Sequence, residues 1–107
     1  MAGKFMVEAS GEQFMFNLQA ANGQVILTSE RYTSRDGALA GIASVRLNAP
    51  HDGRYERRTS SAGEPYFVLK AGNGEVIGRS EMYSSAGAME NGIESVKKNA
   101  PEAPVEA

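Results

Sequence analysis

The sequence predicts an α+β fold: two tandem repeats, each of three strands and a helix, packed as one domain with pseudo-twofold symmetry. Three observations carry this. The chain is duplicated: Phe16–Pro50 matches Phe67–Pro101 at a constant offset of 51 residues, with about half the paired positions identical. Each copy alternates strictly apolar and polar over a short stretch and then meets an Asn-Gly turn signal. Each copy then changes to a helical period and ends on Asn-Ala-Pro.

In order, Phe5–Ala9 reads as a first strand and Ser10-Gly11-Glu12 as a turn. In the next strand Phe14, Phe16, Leu18 and Ala20 share one side; the second copy sets Phe67, Leu69 and Ala71 inward, with Tyr66, Val68 and Lys70 outward. Asn22-Gly23 and Asn73-Gly74 turn the chain, because Asn tolerates and Gly favours a left-handed backbone. Two registers are open. A two-residue turn places Leu18 opposite Leu27. A three-residue turn with a bulge places Leu18 opposite Ile26 and is preferred, because position 27 is Leu in one copy and Gly78 in the other. Third strands follow at Val25–Ser29 and Val76–Ser80.

The helices start at Ser34 or Thr33 and at Ser85 or Ser84, all suited to the N-cap. Ala38, Ile42, Val45 and Ala49 form a core stripe, matched by Met89, Ile93, Val96 and Ala100. Asn48 and Asn99 suit C-terminal caps, and Pro50 and Pro101 stop the helices. Leu39 and Leu47 become Glu90 and Lys98, which marks these positions as solvent-facing. Gly41 and Gly92 lie inside the helices, at a cost of about 1 kcal/mol each relative to Ala. A close backbone approach, helix to helix or helix to sheet, would account for them.

The 107 residues suffice for a single domain over 1–107, with repeats 1–50 and 51–107. The sheet should hold six to eight strands, roughly, and be mostly antiparallel by hairpin logic. Net charge is −2 with a pI near 5.4, which disfavours a general nucleic-acid or acidic-membrane surface. No Cys is present and His51 stands alone, so thiol chemistry and a multi-His metal centre are excluded. No apolar leader or membrane span is visible, which reads as a soluble cytoplasmic protein.

Together, Ala-x-Asn-Gly-x-Val-Ile, Ser-Glu-x-Tyr and Gly-Ile-x-Ser-Val, each present twice, resemble the YegP-like family of small, mostly bacterial proteins. That resemblance implies tandem β3-α-β units building one mostly antiparallel sheet. It further implies two helices on one face, an exchange of the last strands between units, and a strand within Glu102–Ala107. It implies no activity, cofactor or catalytic residue. Between Pro50 and Pro65, one strand around Gly53–Thr59 would have to serve both as the return strand of the first unit and as the first strand of the second.

Most of the shared polar residues turn, cap or stop the chain. Subtracting them leaves Ser29, Glu30, Tyr32 and Ser44 with their twins Ser80, Glu81, Tyr83 and Ser95, a candidate ligand or partner site stated twice. Glu30 bonding free N–H groups and Tyr32 packing its ring is the competing structural role. Arg54, Tyr55, Arg57 and Arg58 form a candidate basic strand for single-stranded nucleic acid; a charged edge that discourages aggregation is the competing role. Catalysis is not expected: His51 sits in a tight turn, and neither a nucleophile elbow nor a phosphate loop is present. The expectation is a non-catalytic binding or protein-interaction module without cofactor, monomeric because fusion satisfies the dimer contact internally.

Overall fold

A computed structural model describes residues 3–106. Seven strands form one sheet: β1 (Lys4–Ser10), β2 (Gln13–Gln19), β3 (Val25–Ser29), β4 (Tyr55–Thr59), β5 (Pro65–Lys70), β6 (Val76–Arg79) and β7 (Val105–Glu106). Their order is β4-β5-β6-β3-β2-β1-β7. Every pairing is antiparallel except β1 with β7. The halves meet at β3 and β6, where Thr28 stands opposite Arg79 and Ser29 opposite Gly78. The pseudo-twofold passes through that seam. Helices α1 (Arg35–Asn48) and α2 (Ala86–Asn99) cover one face and bury Phe5, Phe16, Leu18 and Leu27 from one half with Tyr55, Phe67 and Leu69 from the other.

The unmatched position 27 has its explanation at the seam. A Cβ on Gly78 would lie 2.8 Å from Leu27 Cγ. Two leucines related by the axis would collide, whereas one Leu and one Gly fill the space, and Leu27 is fully buried.

The hairpin turn is the preferred three-residue form, but the register is the other one. Gly23 N donates to Ala20 O at 2.9 Å, Ala20 N donates to Gln24 O at 2.8 Å, and of the turn residues Ala21, Asn22 and Gly23 the glycine alone has positive φ. That excludes a two-residue turn with both central residues left-handed. A second irregularity follows between Leu18 and Gln19, so Leu18 faces Leu27 after all. The extra residue lets Ile26 and Leu27 both be buried. The second copy repeats this, with Leu69 opposite Gly78. Val68 points away from the helices as expected, yet it is fully buried. Its register neighbours Glu56 and Arg79 flank it, and long charged side chains cover apolar surface with their stems.

Ser34 Oγ accepts from Gly37 N at 3.0 Å and Ser85 Oγ from Ala88 N at 3.1 Å, so these two serines are the N-caps. The core stripes are buried as expected. Leu47 is exposed, but Leu39 packs against the core and corrects the solvent-facing expectation. Its twin Glu90 instead receives a two-pronged ion pair from Arg57 on β4, at 2.6 and 2.9 Å. Aligning Phe5 with Tyr55 puts Val7 where Arg57 stands, so two apolar residues of the core in one half occupy the positions of an ion pair in the other.

Gly41 and Gly92 do not admit another backbone. A Cβ there would lie 2.4 Å from Tyr32 Oη and 2.2 Å from Tyr83 Oη, so each glycine makes room for a tyrosine ring. Asn48 and Asn99 are not left-handed caps, since Ala49 and Ala100 continue right-handed. Each asparagine is buried and donates back to the Ser44 or Ser95 carbonyl at 2.8 Å. Its own carbonyl then holds the start of a first strand: Asn99 accepts from Gly3 N at 2.8 Å, and Asn48 accepts from Arg54 Nε at 2.9 Å.

Strand exchange is realised on one side. After α2, Pro104 O accepts from Phe5 N at 2.8 Å, and β7 lies beside β1 in the other repeat. Ala107, the end of the tail read as a strand, lies outside the described residues. After α1, a 3₁₀ turn at Asp52–Arg54 supplies Asp52 O to Tyr55 N and leads directly into β4. Repeat one therefore has no separate return strand. The turn satisfies the N–H group that a return strand would have paired.

Candidate functional site

The Ser-Glu-x-Tyr motif marks a break in the third strand. Phe16 N donates to Ser29 Oγ at 2.8 Å, and that hydroxyl donates to Glu30 O at 2.6 Å. The chain bows out at Glu30 and Arg31, then rejoins the sheet where Tyr32 and Phe14 exchange backbone bonds of 2.7 and 2.8 Å. The second copy does the same: Phe67 N donates to Ser80 Oγ at 3.0 Å, Ser80 Oγ to Glu81 O at 2.8 Å, and Tyr83 N to Pro65 O at 2.8 Å. Ser29 and Ser80 are buried stand-ins for a missing ladder partner.

Tyr32 stacks on Phe16 with centroids 6.1 Å apart and planes at 14°, and Tyr83 on Phe67 at 6.3 Å and 12°. Each hydroxyl end passes over a helical glycine. Among the described residues neither hydroxyl has a hydrogen-bond partner. Both phenols are held above their ordinary pKa, first by partial burial and then by the charge of the adjacent Glu30 or Glu81. They stay protonated and can donate or accept.

The two motifs line two separate clefts, and the opposite repeat closes each. A cleft of about 400 Å³ over α1 joins Glu30, Tyr32, Gly41 and Ser44 to Asn73, Glu75, Val76 and Ile77 from the other repeat's hairpin. The twin, about 440 Å³, joins Glu81 and Tyr83 to Gln24, Val25 and Ile26. A groove of about 350 Å³ brings Ser95, Asn91 and Lys98 of α2 against Ala20, Ala21 and Asn22. Such volumes suit a side chain or small molecule. Ser44 and Ser95 reach these walls, although each also accepts from an asparagine amide, at 3.3 and 3.2 Å. Glu30 and Glu81 are exposed and, among the described residues, make no side-chain bond.

The contribution of the opposite hairpin escaped the sequence reading. Its signal was present: Asn-Gly-x-Val-Ile is kept intact in both copies beyond what a turn needs. No periodicity says, however, which repeat a hairpin leans on.

The basic strand does not present one face. Tyr55 is buried, its hydroxyl donating to Ala49 O at 2.8 Å and its ring lying edge-on to Phe67. Arg57 turns to the helical face and binds Glu90 and Asp52, while Arg58 on the open face binds Glu56 along with Lys70. Arg54 is engaged by Asn48. Among the described residues no cluster of three His, Cys, Asp or Glu is placed to hold a metal ion. Among the same residues no helix is long and apolar enough to cross a membrane.

Comparison with known proteins agrees with this architecture. The profile of a domain of unknown function, DUF1508, matches twice, over residues 9–56 and 60–106. A UPF0339 protein of Bordetella pertussis is 61% identical over 97% of this chain and 94% of its own length. The UPF0339 protein YegP of Escherichia coli K12 is 54% identical over 92% and 91%. The solution NMR structure of a UPF0339 protein from Shewanella oneidensis superposes with a TM-score of 0.92 at 46% identity, covering 99% of this chain and 91% of that one. The solution NMR structure of YegP from E. coli gives 0.92 at 51% identity over 99% and 92%.

Proposed function

The chain belongs to the DUF1508 family, a domain family without an assigned function, and we propose that it is a non-catalytic binding module whose ligands enter the two clefts between the repeats. One observation carries this reading. When the structural duties of Ser-Glu-x-Tyr are removed, an exposed carboxylate and an unbonded phenol hydroxyl remain, and both copies place them in a cleft completed by the other repeat. Convergent polar groups over an apolar floor are the usual makings of a binding site. Nothing in either cleft pairs a nucleophile with a base, so binding rather than turnover is the expected chemistry.

The test is capture from cell lysate, with proteins, nucleic acids and metabolites all identified, using wild type beside Glu30→Gln/Glu81→Gln. A species lost on the double variant supports the clefts; identical captured sets refute them. A second reading has one observation in its favour. The outer edge of β4 is unpaired by any strand, whereas β1 receives β7, so a partner strand could add there. A single protein partner retained by the double variant would favour that edge.

A further inference from the structure

Resting on the binding-cleft reading, we propose that the cleft over α1 takes a primary ammonium carried on an aliphatic stem. Its twin beside Tyr83 is the weaker of the two for that ligand. Ala40, Ala71, Val76 and Ile77 offer apolar surface for methylene groups. Glu30 comes from one repeat and Glu75 from the other, with Tyr32 Oη as a further acceptor, and no Lys or Arg lines this cleft. Glu75 Oε1 already accepts from Asn73 Nδ2 at 2.8 Å, which leaves its Oε2 to join Glu30 and Tyr32 on the cleft wall. Acceptors on three separate side chains suit the three N–H donors of an ammonium better than a planar guanidinium, which prefers one two-pronged carboxylate. An anion would meet two like charges and no compensating donor of full charge.

The twin differs at one decisive position. Gln24 stands where Glu75 stands, and the adjoining groove carries Lys98 together with Glu94, whose carboxylate is paired with Lys97. The duplication thus keeps the carboxylate and the phenol and changes the residue that the opposite hairpin brings to them. The ammonium could belong to a free diamine or to a lysine side chain on a peptide, since both present the same group on the same kind of stem.

The test is a set of ¹H–¹⁵N titrations with 1,4-diaminobutane, Nα-acetyl-lysine-N-methylamide and the neutral Nα-acetyl-norleucine-N-methylamide. The expected result is saturable movement of the Ala40, Gly41 and Val76 amides with an ammonium probe, weakened about tenfold or more in Glu30→Gln/Glu75→Gln. Gln24→Glu should bring the twin cleft, read at the Val25, Ile26 and Tyr83 amides, to a comparable affinity. Preference between the two ammonium probes identifies the free or peptide source. Equal binding of the norleucine probe, or no weakening in the double variant, overturns the charge assignment while leaving the cleft a binding site. If no probe moves the cleft amides at millimolar concentration, the ammonium assignment falls, and the binding-cleft reading is then decided by the lysate capture alone.

Discussion

Gly92 shows how one residue serves two demands. Alanine there should stabilise α2 by about 1 kcal/mol on helix propensity alone. Its Cβ would stand 2.2 Å from Tyr83 Oη, 2.6 Å from Tyr83 Cζ and 3.3 Å from Phe67 Cε2, so the stacked ring must leave its place. We expect Gly92→Ala to destabilise wild type but to stabilise a Tyr83→Ala background, a sign reversal that thermal or denaturant melts can read. The cost of an internal glycine was legible in the sequence; the object it accommodates was not, because a ring reaching back from nine residues earlier leaves no periodic trace. Glu56 gives a second test at this scale. Arg58 and Lys70 hold its carboxyl at about 2. A folded pKa below the unfolded value means this pair contributes stability above the unfolded value, which is lost as pH falls toward 2. NMR titration should find that low midpoint, and Arg58→Gln should raise it, as should high salt for so exposed a pair.

At the scale of elements, the helix ends matter more than their caps. Asn99 joins the last turn of α2 to the N-terminus of β1 through a buried bond to Gly3 N. Replacing it with Ala strands that N–H and should cost about 1–3 kcal/mol, with faster hydrogen exchange at Gly3. The Asn-Ala-Pro stops and the core stripes could be read directly from the sequence, because local propensity and a 3.6-residue period define them. The second bulge at Val25–Ile26 could not. It exists so that two adjacent apolar residues both reach the core, a packing decision that turn chemistry at Asn22-Gly23 does not contain. Leu39 was misplaced for a related reason: its twin Glu90 is kept by an ion pair to Arg57, a partner with no counterpart in the first half.

For the molecule as a whole, duplication is a device for building one sheet, and its exceptions lie where exact symmetry fails. Leu27 and Gly78 are the central exception. Gly78→Leu should destabilise strongly, and adding Leu27→Gly should recover a large part of the loss, a coupling of about 1–3 kcal/mol in a denaturant cycle. Strict additivity would argue against the axis packing. The clefts also belong to this scale, since each needs both repeats, and for that reason a reading made one repeat at a time finds Glu30 and Tyr32 but not Glu75 or Ile77. In each copy, Ser-Glu-x-Tyr combines two structural residues with one free carboxylate. Denaturant unfolding of three paired variants tests this most directly. Ser29→Ala/Ser80→Ala and Tyr32→Ala/Tyr83→Ala should each lose several kcal/mol, about 1–3 per site, while Glu30→Ala/Glu81→Ala should stay within about 0.5 kcal/mol per site of wild type. A glutamate pair as destabilised as the serine pair would make those carboxylates part of the fold and leave the clefts without their free group.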